Sequence, residues 1–330
     1  MKKLLIAISM ILMLLILMPL MFANATTNKI TVAVQPTFAA HQAIGYEILK
    51  RLPANAEKAG ISNLEVITVP SKSSITGNSF LLNKQIDVNV GSLSSFFILN
   101  SKAPNQGRLL ASVGHYKYYL LCDKSIKNLN DALGTTIAMS SRNTLEAHTL
   151  RWMAQNELGD AEAFEQKIVV MKRPQIYQIM KAKSSDVKCA MTGAPMQNQL
   201  KNTLDLQVIA ESDVSKGFAG SYNAYWARTE WVNANPILAR VYAQTATEVT
   251  SDYNSDLNER KAIVKRFVEK DNMEVSVDSV LQAEKENKAM WHSDFRGGQF
   301  MIDFLYNTNY LKENRPESLT PFIAFPKDLR

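Results

Sequence analysis

Five short stretches place hydroxyls, histidines or an arginine where a strand ends and a helix begins. They are PTFAAH (36–41), GSLSS (91–95), GHY (114–116), SSRNT (140–144) and TGAP (192–195). Helix N-termini carry unpaired N–H groups and the positive end of the helix dipole, and together these bind anions. In open α/β sheets such loops gather outside the carboxyl ends of the strands, where ligands collect. The chemistry they offer is capture of a small anion by backbone donors and Ser/Thr hydroxyls.

Each side chain in these loops admits two readings. Ser92, Ser94, Ser95, Ser141 and Asn143 are of the types that contact a polar ligand and equally of the types that cap a helix. Arg142 offers a fork of donors that matches a carboxylate or sulfonate, or it is a solvated arginine on a first turn. His41 and His115 are ligand contacts or satisfied histidines, and His148 and His292 lie on helical stretches and are set aside. Tyr116, Tyr222 and Trp226 line a cleft or pack a hinge.

Catalysis has no positive sign. The chain has no G-x-S-x-G elbow, no H-E-x-x-H and no phosphate-binding Walker loop. Its four histidines are scattered without ligand spacing for a metal. With 31 acidic residues, paired carboxylates discriminate nothing. No catalytic residue, metal or cofactor is assigned.

The elements that position these loops alternate between short apolar strands and amphipathic helices, which predicts an α/β protein with largely parallel sheets. Strands are expected at 30–34, 64–70, 86–91 and 108–114, with helices at 41–52, 73–83 and from 92 onward. YYLLCDK (118–124) reads as a connector, and the pattern then restarts. Strands at 135–140, 167–172, 187–193 and 206–212 alternate with helices at 141–159, 174–182 and after 195. SYNAYWAR (221–228) reads as a second connector, beyond which the chain is helical to its end. The expected organisation is a first lobe over 26–119 and 223–330, with a second lobe over 120–222 inserted into it. Two connecting segments then make a hinged clamshell.

Composition narrows the function. Lys2 and Lys3, an apolar run over 4–22 and Ala23-Asn24-Ala25 form a secretory signal with cleavage predicted after Ala25. The apolar run is also long enough to weigh as an uncleaved anchor. No cysteine follows it, which argues against a lipid-anchored lipoprotein. Export leaves 305 of the 330 residues, enough for two cores, in the periplasm. The net charge of +6 includes Lys2 and Lys3 and has no Lys/Arg stripe with interleaved aromatics, so nucleic acid is excluded as a partner. A mild positive field suits an anionic small molecule. Cys122 and Cys189 are the only cysteines, too few for a disulfide framework. Two buried strand thiols is the plainer reading, with a Cys122–Cys189 bridge as the alternative in an oxidising compartment.

Three blocks carry a resemblance to a known family. VAVQPTFAAHQAIGYEIL (32–49), LLNKQIDVNVGSLSSFFIL (81–99) and YYLLCDKSIKNLNDALGTTIAMSSRNTLEAHTLRWM (118–153) together resemble the type II periplasmic solute-binding proteins of ABC importers. IYQIMKAKSSDVKCAMTGAPM (176–196) and WHSDFRGGQFMIDFLYNTNYL (291–311) extend the likeness over nearly all of the chain. Within that family the chain is similar to the nitrate, sulfonate, taurine and thiamine-pyrimidine branch.

The resemblance implies a two-lobed clamshell that captures a small anion and hands it to a membrane permease, as a monomer and without chemistry. It implies ligand contacts near Gln35, Phe38, His41, Ser92, Ser94, His115, Ser141, Arg142, Asn143, Thr192 and Ser221. Where sulfonate binders carry an acid or a bulky aromatic, this chain has Thr192-Gly193-Ala194, which implies a differently shaped pocket. The alternatives are a binding protein that presents its ligand to a receptor, and an enzyme acting on a pyrimidine ring. The cysteine-rich motif of the related pyrimidine synthases is absent.

Overall fold

The computed structural model describes residues 28–35, 39–183, 186–194, 196–212, 223–270, 276–295 and 297–325. The expected signal segment 1–25, with Phe38, Ser221 and Tyr222, lies outside the described residues.

Two five-stranded sheets organise the chain. The first runs in the order β2–β1–β3–β10–β4, with β1 Lys29–Val34, β2 Glu65–Pro70, β3 Val88–Gly91, β4 Gly107–Gly114 and β10 Asn223–Arg228. The second runs β7–β6–β8–β5–β9, with β5 Tyr118–Cys122, β6 Thr136–Met139, β7 Ile168–Val170, β8 Val187–Gly193 and β9 Gln207–Glu211. In each sheet three consecutive parallel strands come from βαβ crossovers, and one strand is antiparallel to both its neighbours. That strand is β10 in the first sheet and β5 in the second.

These two antiparallel strands are the segments that the sequence presents as connectors. Both are buried along their length, and a strand buried on both faces reads as a continuous apolar run without alternation. YYLLC and NAYWA therefore carry no period-2 signal that marks them as sheet. The sheets are accordingly mixed, not largely parallel.

Helix α1 (Ala39–Lys58) covers the first sheet with Ala40, Ile44, Ile48, Leu52 and Ala56, spaced four apart and fully buried. It continues past the expected end at Leu52 with Pro53 inside it. The stripe resumes at Ala56 and the packing outweighs the lost hydrogen bond at the proline. Against α1 lie α9 (Pro236–Ser255) and α10 (Leu257–Lys270). Buried Glu47 of α1 meets Arg51 and Arg266 at 2.9 Å each. Burial pushes its carboxyl up, the two guanidinium groups outweigh burial, and the group stays below the usual carboxylate range.

Cys122 and Cys189 face each other in the β5–β8 register, with Cα atoms 4.1 Å apart, and form a disulfide. This corrects the plainer reading of two thiols. Opposition across an antiparallel pair is fixed by register, which the spacing of two cysteines cannot reveal.

The first crossing between the sheets, from β4 to β5, is braced by the segment after α11 (Val277–Glu286). His115 and Met290 exchange two backbone hydrogen bonds of 2.8 Å, and the Lys117 amide donates to Asn287. Gly114 has φ +116, and a Cβ there would lie 2.2 Å from the Met290 carbonyl oxygen, so glycine is required.

A second brace follows α12 (Gly298–Asn307), where Tyr310 reaches across to α5 (Leu145–Leu158) of the other sheet. Its hydroxyl donates to Asn143 Oδ1 at 2.7 Å, its ring meets His148 edge-on at 4.5 Å, and Arg151 lies over its face. His148 is fully buried and neither ring nitrogen has a hydrogen-bond partner among the described residues. Burial lowers its pKa from 6.5 to about 3. The unfolded chain therefore takes up a proton there before the folded chain does, and stability falls as pH drops below about 6.5. His148 alone should remove roughly 2 kcal/mol between pH 7 and pH 5. Urea midpoints across that range should fall in wild type and flatten in His148→Phe, which keeps a ring edge against Tyr310; equal slopes would exclude His148 as the source.

Candidate ligand cleft

The cleft between the sheets is built from strand ends and helix starts. From the first sheet, the end of β1 supplies Gln35, and the turn after β2 supplies Lys72, Ser73 and Ser74. The end of β3 supplies Gly91 and Ser92, and the start of β10 supplies Asn223. From the second, the turn after β6 supplies Ser140, Ser141, Thr144 and Glu146, and the turn after β7 supplies Lys172 and Arg173. Tyr116 and Tyr118 of the crossing segment form the floor. The cleft is open to solvent on one side and has a volume of about 510 Å³.

Four helices start at this cleft: α2 (Ser74–Leu82), α3 (Leu93–Lys102), α5 and α6 (Arg173–Ala182). The two of the first sheet are capped. Ser73 accepts from the Thr76 amide, and Ser92 accepts from the Ser95 amide. Helix α5 has Thr144 at its N-cap with no side-chain cap hydrogen bond, so its first-turn amides remain open to a ligand.

The capped pair is locked from behind by a buried polar network. Ser74 and Ser95 hydroxyls are 2.7 Å apart, Asn78 Nδ2 donates to the Ser95 carbonyl at 2.8 Å, and Asn89 Nδ2 donates to Asn78 Oδ1 at 3.0 Å. Trp226 Nε1 of β10 donates to the same oxygen at 3.0 Å. Every member is satisfied, which makes such a network rigid. Gly91 has φ +154, and a Cβ would stand 2.2 Å from Ser74 Cβ, so only glycine lets α2 approach the end of β3.

Asn223, at the start of β10, completes this wall. It is 7 % exposed, and its side-chain amide lies against the Tyr116 hydroxyl on the cleft floor. The open first-turn amides of α5 favour a ligand oxygen in the cleft.

Charge reinforces this preference. Lys72, Lys172 and Arg173 face the cleft, opposed by Glu146. Arg173 Nη2 lies 3.3 Å from Glu146 Oε1. Burial lowers the basicity of this guanidinium, the Glu146 carboxylate outweighs that loss, and Arg173 is held charged above its ordinary range. Ser140 Oγ donates to the other Glu146 oxygen. The Tyr116 and Tyr118 rings stack with centroids 5.5 Å apart, and burial pushes both hydroxyls up, so they are neutral.

The expected site residues separate into three groups. Gln35, Ser92 and Ser141 line the cleft. Phe38 and Ser221 lie outside the described residues. The rest point elsewhere. Arg142 turns back onto its own lobe, donating to the Glu165 carbonyl, Glu165 Oε1 and the Ile168 carbonyl at 2.7 Å each. Ser94 is fully buried behind Ser92, 2.9 Å from its hydroxyl. His115 pairs with His292 at 3.0 Å under the crossing segment. Asn143 accepts from Tyr310. Buried Thr192 donates to the Gly193 carbonyl. His41 is buried against a separate cavity of about 400 Å³ beside Tyr46 and Phe267. Burial lowers its pKa to about 4, so it is neutral.

Asn223, Lys72, Lys172, Arg173 and Glu146 are among the cleft residues that sequence reasoning omits. The strand-end rule would have reached Lys72 and Arg173 had it been applied to the turns after β2 and β7, VPSKSS (69–74) and MKRPQ (171–175).

Comparison with solved structures places this geometry. The alkanesulfonate-binding protein SsuA from Xanthomonas axonopodis pv. citri, bound to MOPS, superposes with a TM-score of 0.66 at 11 % identity, over 89 % of this chain and 97 % of that one. The fold is that of the periplasmic binding proteins. The aliphatic sulphonate binding protein SsuA from Escherichia coli matches this binding-protein fold with a TM-score of 0.66 at 11 % identity, covering 90 % and 98 % of the two chains. The nitrate-binding protein NrtA from Synechocystis PCC 6803 gives 0.62 at 14 % identity, over 89 % and 84 %. No family model matches the chain, and no curated protein matches it in sequence. Among the described residues, no helix is long and apolar enough to cross a membrane.

Proposed function

We propose that the protein is an extracytoplasmic solute-binding protein that captures a small organic anion between its two lobes. The observation that carries this reading is a cleft lined by Lys72, Lys172 and Arg173, onto which the uncapped start of α5 opens. Donors held in place before the ligand arrives spend little free energy on ordering when it binds. A volume of about 510 Å³ fits a small organic molecule with room that a bare inorganic oxyanion would leave as water.

The lobes are taken as 26–119 with 223–330, and 120–222, after a signal segment of 1–25. The division of strands between the two sheets supports those limits. Export to the periplasm is supported by the buried disulfide, since such bonds persist in oxidising compartments. Closure of the lobes on ligand and delivery to a membrane permease follow from the kinship of fold with NrtA and SsuA. The protein acts as a monomer and performs no chemistry on its ligand. Ligand contacts are assigned to Gln35, Ser92, Ser141, Asn223, Lys72 and Arg173.

A denaturation scan in 10 mM propanesulfonate, butyrate, nitrate or uracil tests the reading. A ligand present at about a hundred times its Kd stabilises the folded state by about 2.7 kcal/mol, several degrees in Tm. At least one organic anion should do so, with uracil inert. Stabilisation by uracil alone would favour the pyrimidine alternative.

A further inference from the structure

Helix α1 carries a second stripe beside the one that meets its own sheet. Gln42, Gly45, Tyr46 and Leu49 stand three and four residues apart, so they share a face, and each is half-buried. That face roofs the cavity of about 400 Å³ over β1 and the end of β2, with Phe267 of α10 along one side. Every described residue that lines it comes from the first sheet, the residue after β1, or α1 and α10.

The cavity has an apolar body and a single charge at its rim. Val34, Leu49, Tyr46 and Phe267 line the body, and the two rings lie with centroids 6.2 Å apart. Thr68, Pro70 and Lys270 are exposed and mark the mouth. Buried His41 is neutral, because burial lowers its pKa to about 4. Lys270 is therefore the one charged group among the described lining residues. Its ammonium stands 4.7 Å from the centroid of the Tyr46 ring.

Apolar pockets of this volume with few convergent polar groups are what small molecules occupy. A neutral apolar guest fills the body and leaves Lys270 unused. An inorganic anion meets Lys270 and leaves the body wet. A ring with one carboxylate on a short arm satisfies both ends. The ring packs against Tyr46 and Phe267, and the carboxylate accepts from the ammonium.

We propose that this cavity is a second ligand site that takes a small aromatic monocarboxylate, held by Lys270 at the mouth and by Tyr46 and Phe267 within. The proposal does not rest on the capture reading above, since Gln35 is the one described residue that lines both the cavity and the cleft.

Titration calorimetry with 3-phenylpropanoate, 3-phenylpropanamide and propanoate tests it. The ring acid should bind at least tenfold more tightly than propanoate, which lacks the ring, and at least threefold more tightly than the amide, which lacks the charge. Lys270→Met, at an exposed position, should erase the preference for acid over amide. Arg173→Gln with Glu146→Gln alters the cleft and should leave binding of the ring acid within threefold. Thr68→Trp, added to that pair, puts a ring into the mouth from an exposed strand position and should weaken the acid tenfold or more. Binding that vanishes in the cleft variant would place the ring acid in the cleft and overturn the second site. Equal binding of ring acid and propanoate, or no heat from the ring acid, would also overturn it, and each of these results leaves anion capture standing. The wild-type series needs no variant, so a poorly folded one leaves the inference falsifiable.

Discussion

Replacing Arg173 with alanine should cost the protein most of its affinity for an anionic ligand, whereas replacing Arg142 should cost almost none. A hydrogen bond to a charged group contributes about 1.5–3 kcal/mol, and every 1.4 kcal/mol is tenfold in Kd. Arg173 faces the cleft beside Glu146, so Arg173→Ala should weaken binding roughly ten- to a hundredfold. The variant also leaves Glu146 without its cation, which lowers stability in its own right. Arg173→Gln combined with Glu146→Gln removes both charges and separates the two effects: the fold should recover while anion affinity stays low. Arg142 holds the backbone at 165 and 168. Arg142→Ala should therefore lower stability by about 1 kcal/mol, given its partial exposure, and leave affinity within threefold. Calorimetric titration against the best-binding probe, with urea midpoints alongside, reads both quantities. The reverse pattern would return the anion to Arg142.

The second large effect is on stability. The Cys122–Cys189 bridge closes a loop with a sequence separation of 67. On the chain-entropy account, closing a loop of that length removes about 4 kcal/mol of freedom from the unfolded chain, within the usual 2–5 kcal/mol for native disulfides. Cys122→Ala with Cys189→Ala should lower unfolding free energy by about that amount, and a reductant should do the same to wild type once the sheet opens. Both cysteines are fully buried between β5 and β8, so reduction should be slow in the folded state and fast in denaturant. The double variant should keep its ligand affinity, because neither residue lines the cleft. A denaturation midpoint unmoved by the double substitution would show that the sheet is held without the bridge.

The βαβ units of both lobes were legible because most of their strands and helices carry clean periodicity and end at recognisable caps, as at Ser92 and Gly159. The antiparallel strands β5 and β10 were not. Each is buried along its length, and each follows a crossing whose destination only the completed sheet defines. The cleft was legible as a set of loops and less so as a set of side chains. Ser92 and Ser141 line it, while Ser94, two positions on, is turned into the core by the helical rotation that starts at Leu93. Arg142 and Arg173 both follow a strand of the second sheet. The former lies before the helix and folds back to Glu165. The latter is the first residue of its helix and stands against Glu146 of the neighbouring one. That difference is tertiary and leaves no trace in spacing.

Asn223 is the sharpest test of anion capture, because its buried side-chain amide lines the cleft against Tyr116 on the floor. Asn223→Asp keeps the size of the side chain and exchanges that donor for a negatively charged acceptor. Its affinity for the best-binding anion, measured by titration calorimetry at neutral pH, should fall by a hundredfold or more, with the folded state retained by circular dichroism. Wild-type affinity in this variant would contradict an anion held between the lobes.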